Sequence, residues 1–436
     1  MIDKIVRLTD LHDAWPVLSL PERVEGFELL SRDEAEEFFL QLSARDRLQL
    51  IRALPQAERR LWLRILPPDD AVDVIQEAPA EERAELLQLL DETTRREVRG
   101  LLAYAEDAAG GLMDPRYARL RPDMTVDEAI SYLKRDARSR KSVYYAFVVD
   151  PENRLLGVVS FRDLFAAAGD KMVRDVMRTD VVTASEDMDQ EALSHLFARH
   201  NLMMIPVVDA ERRIKGVVTF DDIIDVVQEE ATEDIHKIGG TEALDAPYLQ
   251  VSLPQMVRKR AGWLAALFLG EMLTATAMGY FEAEIARAVV LALFVPLIIS
   301  SGGNSGSQAS TLVIRAMALG EVRLRDWWRV VRREVLTGVA LGSILAAIGF
   351  ARILVWQALF RTYGEHYLAV GSTVALSLIG VVLWGTLAGA TLPFVLKGLG
   401  FDPASASAPF VATLVDVTGL IIYFTVASFV LRGTLL

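Results

Sequence analysis

Five long apolar stretches in the C-terminal part of the chain constrain its fold more than any other feature. A helix needs about 20 mostly apolar residues to cross a bilayer. The stretches that meet this length cover residues 261–281, 288–319, 335–360, 370–396 and 404–431. The second stretch contains Pro296 and the small polar run "SSGGNSGSQAS" (300–310), so we expect its helix to be broken in the middle. The sequence therefore predicts a membrane domain of five helical spans.

Small and basic residues give this domain its packing and orientation. Paired glycines at 338 and 342, and at 385 and 389, predict close contact between helices in lipid. "RKR" (258–260) precedes the first span and "RLRDWWRVVRRE" (323–334) lies between the second and third. Basic loops remain in the cytosol. We therefore expect a multi-pass protein of the plasma (inner) membrane, with the N-terminus in the cytosol and the C-terminus outside.

Asp416 is the only charged residue in the apolar segment "FVATLVDVTGLIIYF" (410–424). A carboxylate at the centre of a bilayer costs at least about 2.5 kcal/mol. It is either a neutral or hydrogen-bonded structural acid or a cation site, and ionisable residues within membranes usually mark ion pathways. Ala412 and Pro409 share its helical face, four and seven residues before it. In a two-fold dimer, two such carboxylates would face one ion.

The lack of cysteine excludes disulfides and thiolate metal sites, and oxygen ligands suit Mg2+, Ca2+ or Mn2+. Mg2+ loses water reluctantly and is usually held by one or two carboxylates, which fits a sparse acid among small residues. Asn304 and Gln308, four apart, favour a hydrated path over a packing kink. Glu271 in the first span pairs with Thr274, Thr276 or another helix, or contacts the pathway.

The N-terminal part is rich in charged residues, as in a soluble protein. Residues 20–110 contain short helical patterns separated by "LP" and "PP" turns in a unit of roughly two dozen residues, which predicts a stacked helical superhelix. With a net charge of −13, the chain as a whole does not attract the negatively charged phosphates of nucleic acid, so we expect no nucleic-acid partner.

An internal repeat follows, because residues 144–165 recur as 203–224. Each copy predicts strand, turn, strand and helix, with an amphipathic helix upstream. The segments "GVVSFRD" and "GVVTFDD" resemble paired CBS modules, in which the Ser or Thr and the Asp three residues on often contact a nucleotide ribose. The resemblance implies a site for ATP or another adenine nucleotide at Ser160, Asp163, Thr219, Asp222, Tyr145 and Arg162. Alternatively, Ser160 and Thr219 are helix N-caps.

The whole chain resembles the MgtE magnesium transporter family. The motifs that carry the resemblance, besides the CBS pair, are "YAEDAAGGLMDP" (104–115), "EEATEDIHKIGG" (229–240), "SGGNSGSQASTLVIRA" (301–316) and "APFVATLVDVTGLIIYF" (408–424). The family implies a homodimer that lets Mg2+ enter passively and closes when cytosolic Mg2+ is high.

The resemblance also implies a division into domains. The expected parts are an acidic helical N domain (1–113), a tandem α/β CBS domain (114–172 and 173–230), a connecting plug helix (231–258) and a transmembrane pore domain (259–436).

The resemblance also implies functional residues at the positions that match the family's motifs. The implied pore residues are Asp416, Ala412, Pro409 and Asn304. The implied Mg2+-sensing residues are Asp69, Asp73, Glu37, Asp189, Glu191, Asp222, Asp225, Glu230, Glu233 and Asp234. The chain departs from the family pattern in three places. Its N domain looks about one helical hairpin shorter than that of a full-length member. Asn201 stands where an Asp would be the natural sensor ligand, and Ala408 stands where an Asn can occur beside the pore.

Two other functions stay open. The pore could carry Mn2+, Co2+ or another divalent ion, or work as an exporter, and the chain could instead be a non-transporting membrane sensor of Mg2+ or nucleotide. An enzyme is not expected, because the sequence has no Ser/His/Asp set, metal-hydrolase motif or GxxxxGK[ST] loop.

Overall fold

The computed structural model describes residues 8–136, 144–244, 246–432 and 435. Its contacts divide the chain into two compact units, Met1–Gln228 and Glu229–Leu436.

The N-terminal unit begins with short helices and a 3-10 turn at Trp15–Val17. The helices are α1 (Leu8–Ala14), α2 (Leu20–Glu28), α3 (Arg32–Gln41), α4 (Ala44–Ala53), α5 (Gln56–Ile65), α6 (Pro68–Gln76), α7 (Ala80–Leu89) and α8 (Glu92–Leu101). From α2 onward their N-cap residues fall every twelve positions, at Ser19, Ser31, Ser43, Pro55, Pro67, Pro79 and Asp91. Two helices thus form each 24-residue unit, and the predicted helical domain is confirmed.

Two similar α/β modules follow. Their strands are β1 (Arg119–Leu120), β2 (Tyr145–Val149), β3 (Leu155–Ser160), β4 (Ala184–Ser185), β5 (Met204–Val208) and β6 (Ile214–Thr219). Their helices are α9 (Val126–Asp136), α10 (Phe161–Ala166), α11 (Val173–Val176), α12 (Gln190–His200) and α13 (Phe220–Ile238). The sheets have the orders β1-β2-β3 and β4-β5-β6, each with one parallel and one antiparallel pair. Both hairpins shift register at the equivalent place, which confirms the internal repeat.

The N-terminal helices and the second module share one hydrophobic core. Phe38, Ile51 and Val72 from the helices belong to the same buried cluster as Ile205 and Val218 from the second sheet. Because this cluster is continuous, the acidic helix α6 is held against the module that carries Asp222.

The C-terminal unit contains five helices that are long and apolar enough to cross a membrane. Its helices are α14 (Leu253–Tyr280), α15 (Glu282–Arg287), α16 (Val295–Ala318), α17 (Trp327–Phe360), α18 (Tyr367–Gly398) and α19 (Ala408–Val430). Short 3-10 turns precede α16 (Val289–Phe294), α17 (Leu324–Asp326) and α19 (Pro403–Ser405).

The predicted break in the middle of the second span is wrong. Helix α16 is continuous through residues 300–310, and the irregular backbone lies before it, at Val289–Phe294. Pro296 sits in the first turn, where its missing N–H would have no helical partner. The Tyr423 hydroxyl donates a hydrogen bond to the Leu291 carbonyl at 2.9 Å, so this carbonyl of the irregular segment has a partner.

The connecting segment also differs from the single helix expected over residues 231–258. Helix α13 starts earlier, at Phe220, and ends at Ile238. Gly240 then takes a positive φ of 71°, which glycine adopts without strain. The next helix starts only at Leu253, after a capping box at Ser252.

Glycines let the membrane helices approach each other closely. A methyl group on Gly385 or Gly389 of α18 would collide with the carbonyl of Gly302 or Gly306 of α16. Gly338 and Gly342 of α17 likewise face α18. The close packing predicted from the paired glycines is confirmed.

Replacement of Gly389 by Ala should therefore destabilise the C-terminal unit by about 1–3 kcal/mol, because overpacking forces the backbones apart. Thermal unfolding of the full chain in detergent measures this loss. Gly262→Ala on α14 is the matched control, since a methyl group there meets no atom within 4 Å. Equal unfolding temperatures for the two variants would contradict the packing described here.

Candidate functional site

Asp416 lies at the point where α16 approaches α19. A methyl group added to Gly303 would lie 3.4 Å from Ala412 Cβ and 3.6 Å from Asp416 Oδ1. The Asp416 carboxylate is only partly buried. The structure thus brings Asp416 and Ala412 together with Gly303, which the sequence analysis did not identify, although it lies in the small polar run.

The serines of α16 hold the start of α19 in place. Ser307 Oγ donates to the Ala408 carbonyl at 3.0 Å, and Ser310 Oγ donates to the Ala406 carbonyl at 2.7 Å. This arrangement explains in part why small polar residues occupy α16, since they satisfy backbone carbonyls across the helix contact. It uses the backbone of Ala408, so an Asn is not needed there for this contact.

The other predicted pore residues lie around this contact. Asn304 follows Gly303, is exposed, and donates to Ser300 Oγ at 3.3 Å. Pro409 is in the first turn of α19, where a methyl group on Gly240 would approach it to 3.1 Å. The connecting segment therefore packs against the end of the helix that carries Asp416.

Lys237 makes a second contact between the connecting helix and this region. Its ammonium group lies 2.6 Å from Asp402 Oδ2 and also pairs with Glu233. Burial works against its charge, but the hydrogen bonds and charges of Asp402 and Glu233 outweigh it and raise the Lys237 pKa. Ile238 packs beside it against the cluster of Ile314, Ala404 and Ala406. The sequence analysis missed Lys237 because its partner Asp402 is far away in the chain.

A second acidic region lies in the N-terminal unit, around Asp73. Desolvation, followed by the charges of Asp69, Asp70 and Asp222, raises the pKa of Asp73 to about 8. The Asp73 side chain keeps access to solvent, and the repulsion from the neighbouring carboxylates acts on it there. Four acids from α6 and α13 thus act on each other electrostatically.

Asp225 and Arg47 belong to the same region. Burial, followed by the charges of Asp222 and Asp221, raises the pKa of Asp225. The buried guanidinium of Arg47 opposes this effect and pairs with Asp70 at 3.0 Å. The sequence analysis missed Arg47 and Asp70, because nothing in their spacing shows that α4, α6 and α13 meet.

The other predicted sensing residues are placed differently. Glu37 is exposed on α3, and Asp189 caps α12 by accepting from the Glu191 backbone N–H at 2.9 Å. Glu230, Glu233 and Asp234 lie on the part of α13 that belongs to the C-terminal unit. Among the described residues, no group of three or more His, Asp or Glu side chains is arranged to hold a metal ion. The region around Asp73 is therefore a concentration of negative charge and not a formed coordination shell.

The predicted nucleotide residues form helix caps. Ser160 Oγ donates to Asp163 Oδ2 at 2.7 Å and accepts from the Asp163 backbone N–H. Thr219 Oγ1 donates to Asp222 Oδ2 at 2.5 Å. Tyr145 pairs with Ser160 across the β2–β3 hairpin, and Arg162 is exposed on α10.

The first module also has a cavity of about 1100 Å³ elsewhere. It lies between α9, β1 and the β2–β3 turn, and its lining includes Arg119, Tyr132 and Asn153. Asn201 caps α12 in the left-handed region with a φ of 50°, a conformation that Asn tolerates well.

These features define a multi-span membrane protein with a carboxylate at a helix contact and a tandem CBS unit. A family model described as a divalent cation transporter, MgtE, matches residues 295–426. The MgtE intracellular N domain matches residues 7–107, and the CBS domain matches 109–170 and 173–229.

Curated relatives identify the family. The chain is 39% identical to the magnesium transporter MgtE of Thermus thermophilus over 97% of its own length and 93% of the relative. It is 32% identical to MgtE of Enterococcus faecalis, over 77% of this chain and 72% of the relative. It is 30% identical to MgtE of Bacillus subtilis, over 94% of this chain and 89% of the relative. The chain belongs to the MgtE family.

Other similarities cover less of the chain. A crystal structure of the cytosolic domain of the Mg2+ channel MgtE in complex with ATP has a TM-score of 0.48 and 39% identity, and covers 50% of this chain and 90% of that one. Inosine-5'-monophosphate dehydrogenase of Methanocaldococcus jannaschii is 38% identical over 24% of this chain and 20% of its own length. This match is partial, and the family is one of transporters and not of enzymes.

The repulsion around Asp73 predicts a pH dependence of stability. Its folded-state pKa, about 8, is far above the value of an unfolded chain, so folding binds a proton in the range between them. In metal-free buffer, the free energy of unfolding of the N-terminal unit should fall as the pH rises from 6 to 8.5. Thermal unfolding of the full chain should show a weaker dependence in Asp73→Asn, whereas the surface variant Asp123→Asn should match the wild type. The same pH slope in Asp73→Asn would contradict this assignment.

Proposed function

We propose that this chain carries Mg2+ passively across a membrane, and that Asp416 holds the ion. The close approach of Gly303 to Asp416 carries the proposal, because it puts a carboxylate beside the smallest side chain on the neighbouring span. A charged group in this position needs compensation, and a divalent cation with its waters supplies it.

Passive entry is energetically sufficient. At −100 mV, a divalent ion gains roughly 4.6 kcal/mol on entering the cell, twice the value for one elementary charge. One carboxylate per chain among small residues suits an ion that keeps most of its water. The printed names of the relatives support magnesium as the ion that is moved.

The path is completed, in this proposal, by a second copy of the chain. Helix α14 exposes most of its side chains, and Asn304 and Gln308 are exposed on α16. Lipid cannot form hydrogen bonds with such amides, whereas a partner helix or a hydrated path can. A two-fold dimer would put two Asp416 carboxylates on one axis.

Closure by cytosolic Mg2+ is the second part of the proposal. The acids Asp69, Asp73, Asp222 and Asp225 repel one another, so a divalent cation that binds among them would stabilise the packing of α6 against α13. The far end of α13 holds Lys237, whose bond to Asp402 connects this helix to the segment before α19. A change at one end of α13 would thus reach the start of the Asp416 helix.

The remaining assignments extend the same proposal. The basic segments at 258–260 and 323–334 support a cytosolic N-terminus in a plasma (inner) membrane. We assign an adenine nucleotide to the CBS pair at the Ser160 and Thr219 helix starts. The nucleotide would have to compete with the capping bonds seen there. We keep the expected limits of the N domain, the CBS modules and the pore domain, but not the single connecting helix over 231–258.

Loss of the Asp416 carboxylate should abolish Mg2+ uptake. Full-length protein in liposomes loaded with a Mg2+-sensitive dye gives the uptake rate, and we expect Asp416→Ala to fall to the rate of empty liposomes. Ser343→Ala, which removes an exposed hydroxyl on α17, is the control. Full uptake by Asp416→Ala with folding preserved would favour a non-transporting sensor. Equal rates for Mg2+, Mn2+ and Co2+ in the wild type would favour a broader divalent carrier.

Neutralisation of the acidic region should remove the effect of Mg2+ on the cytosolic part. We expect millimolar Mg2+ to protect the wild-type chain from limited proteolysis, because it relieves repulsion between α6 and α13. A variant with Asp69, Asp222 and Asp225 changed to Asn should lose this dependence. The matched control changes the exposed acids Asp123, Asp175 and Asp187 to Asn. Unchanged Mg2+ protection in the first variant would count against the proposed sensor.

A further inference from the structure

Glu271 is an acid in the apolar part of α14 that the proposed path leaves unexplained. From the sequence, two possibilities stay open for Glu271: a partner at Thr274, Thr276 or on another helix, or contact with the ion pathway. Among the residues that the structure describes, buried Thr274 Oγ1 has no hydrogen-bond partner, whereas Thr276 Oγ1 donates to the Met272 carbonyl. Within the described part of the chain, Glu271 itself makes no hydrogen bond or ion pair and is exposed. An uncompensated acid in a span is costly, so its position needs another explanation.

The position of Glu271 follows from the contact between α14 and α19. A methyl group on Gly270 would approach Thr413 Cγ2 to 2.9 Å, so the two helices meet at this level. Thr413 precedes Asp416 by three residues and lies on the same side of α19. Glu271, next to Gly270, is close enough to Asp416 for their charges to interact.

Helices α14 and α16 both contact α19 near Asp416. Helix α16 brings Gly303, which adds space, and α14 brings Glu271, which adds negative charge. Like charges repel strongly in a low-dielectric surrounding, and a doubly charged cation removes this repulsion more completely than a singly charged one. The pair thus favours a divalent over a monovalent ion.

We propose that Glu271 is a specificity-determining residue of the ion path, which acts by its charge on the ion held at Asp416. This inference rests on the proposed transport function and deepens it. Glu271 does not need to touch the ion, because its field acts through the water that the ion keeps. Its effect is therefore on the affinity for Mg2+ and on the exclusion of Na+ and K+, while Asp416 determines whether transport occurs.

The test uses full-length protein in liposomes and compares Glu271→Gln, Glu271→Asp and Asp416→Asn with the wild type. In Glu271→Gln, the Mg2+ concentration for half-maximal uptake should rise on the order of tenfold. The maximal rate should change little, and Na+ flux should increase. Glu271→Asp keeps the charge and should restore most of the affinity. Glu282→Gln, an exposed acid on α15 beyond the span, is the control and should behave as the wild type.

The outcomes distinguish the role of Glu271 from the proposed transport function. Wild-type affinity and Na+ exclusion in Glu271→Gln, with uptake abolished in Asp416→Asn, would overturn the role of Glu271 alone. Uptake retained in Asp416→Asn would overturn the transport proposal itself. A loss of maximal rate without a change in half-maximal concentration, shared by Glu271→Gln and Glu271→Asp, would show a structural role and also overturn the inference. If Glu271→Gln does not fold, Glu271→Ala decides instead, because it also removes the charge and should raise the half-maximal Mg2+ concentration; a wild-type value there would overturn the inference.

Discussion

The contact between α16 and α19 at Gly303 and Asp416 determines how the rest of the C-terminal unit is built. A carboxylate inside a bilayer is tolerated only where protein, water or an ion surrounds it. The glycines of α16 and α18 allow three helices to pack closely, and the serines of α16 hold the backbone before α19. With the backbone fixed in this way, the Asp416 carboxylate has a defined place beside small side chains.

The same requirement for compensation recurs outside the membrane helices. Acids from α6 and α13 act on each other around Asp73, with the buried Arg47 as a partial counter-charge. Farther along α13, Lys237 compensates Asp402 and Glu233. In our account, one helix carries both the repulsive acidic region and the basic residue that contacts the segment before α19.

Much of this could be predicted from the sequence. Length and hydropathy identified five spans, turn spacing identified the helical repeats, and the duplicated strand pattern identified both modules. Contacts between distant segments could not be predicted, so Arg47, Lys237 and Gly303 were missed. The expected break in α16 was wrong, because Gly and Ser are weak helix breakers when neighbouring helices pack against them. The connecting helix was misplaced, since the charged pattern does not show where α13 begins.

The central claim is that Mg2+ passes at Asp416, driven only by its gradient and the membrane potential. The most direct measurement is Mg2+ uptake into proteoliposomes whose potential is set by K+ and valinomycin, without ATP, for wild type and Asp416→Asn. The account predicts that wild-type uptake rises steeply as the inside becomes more negative and that Asp416→Asn shows none at any potential. Uptake that ignores the potential, or that survives in Asp416→Asn, would contradict it.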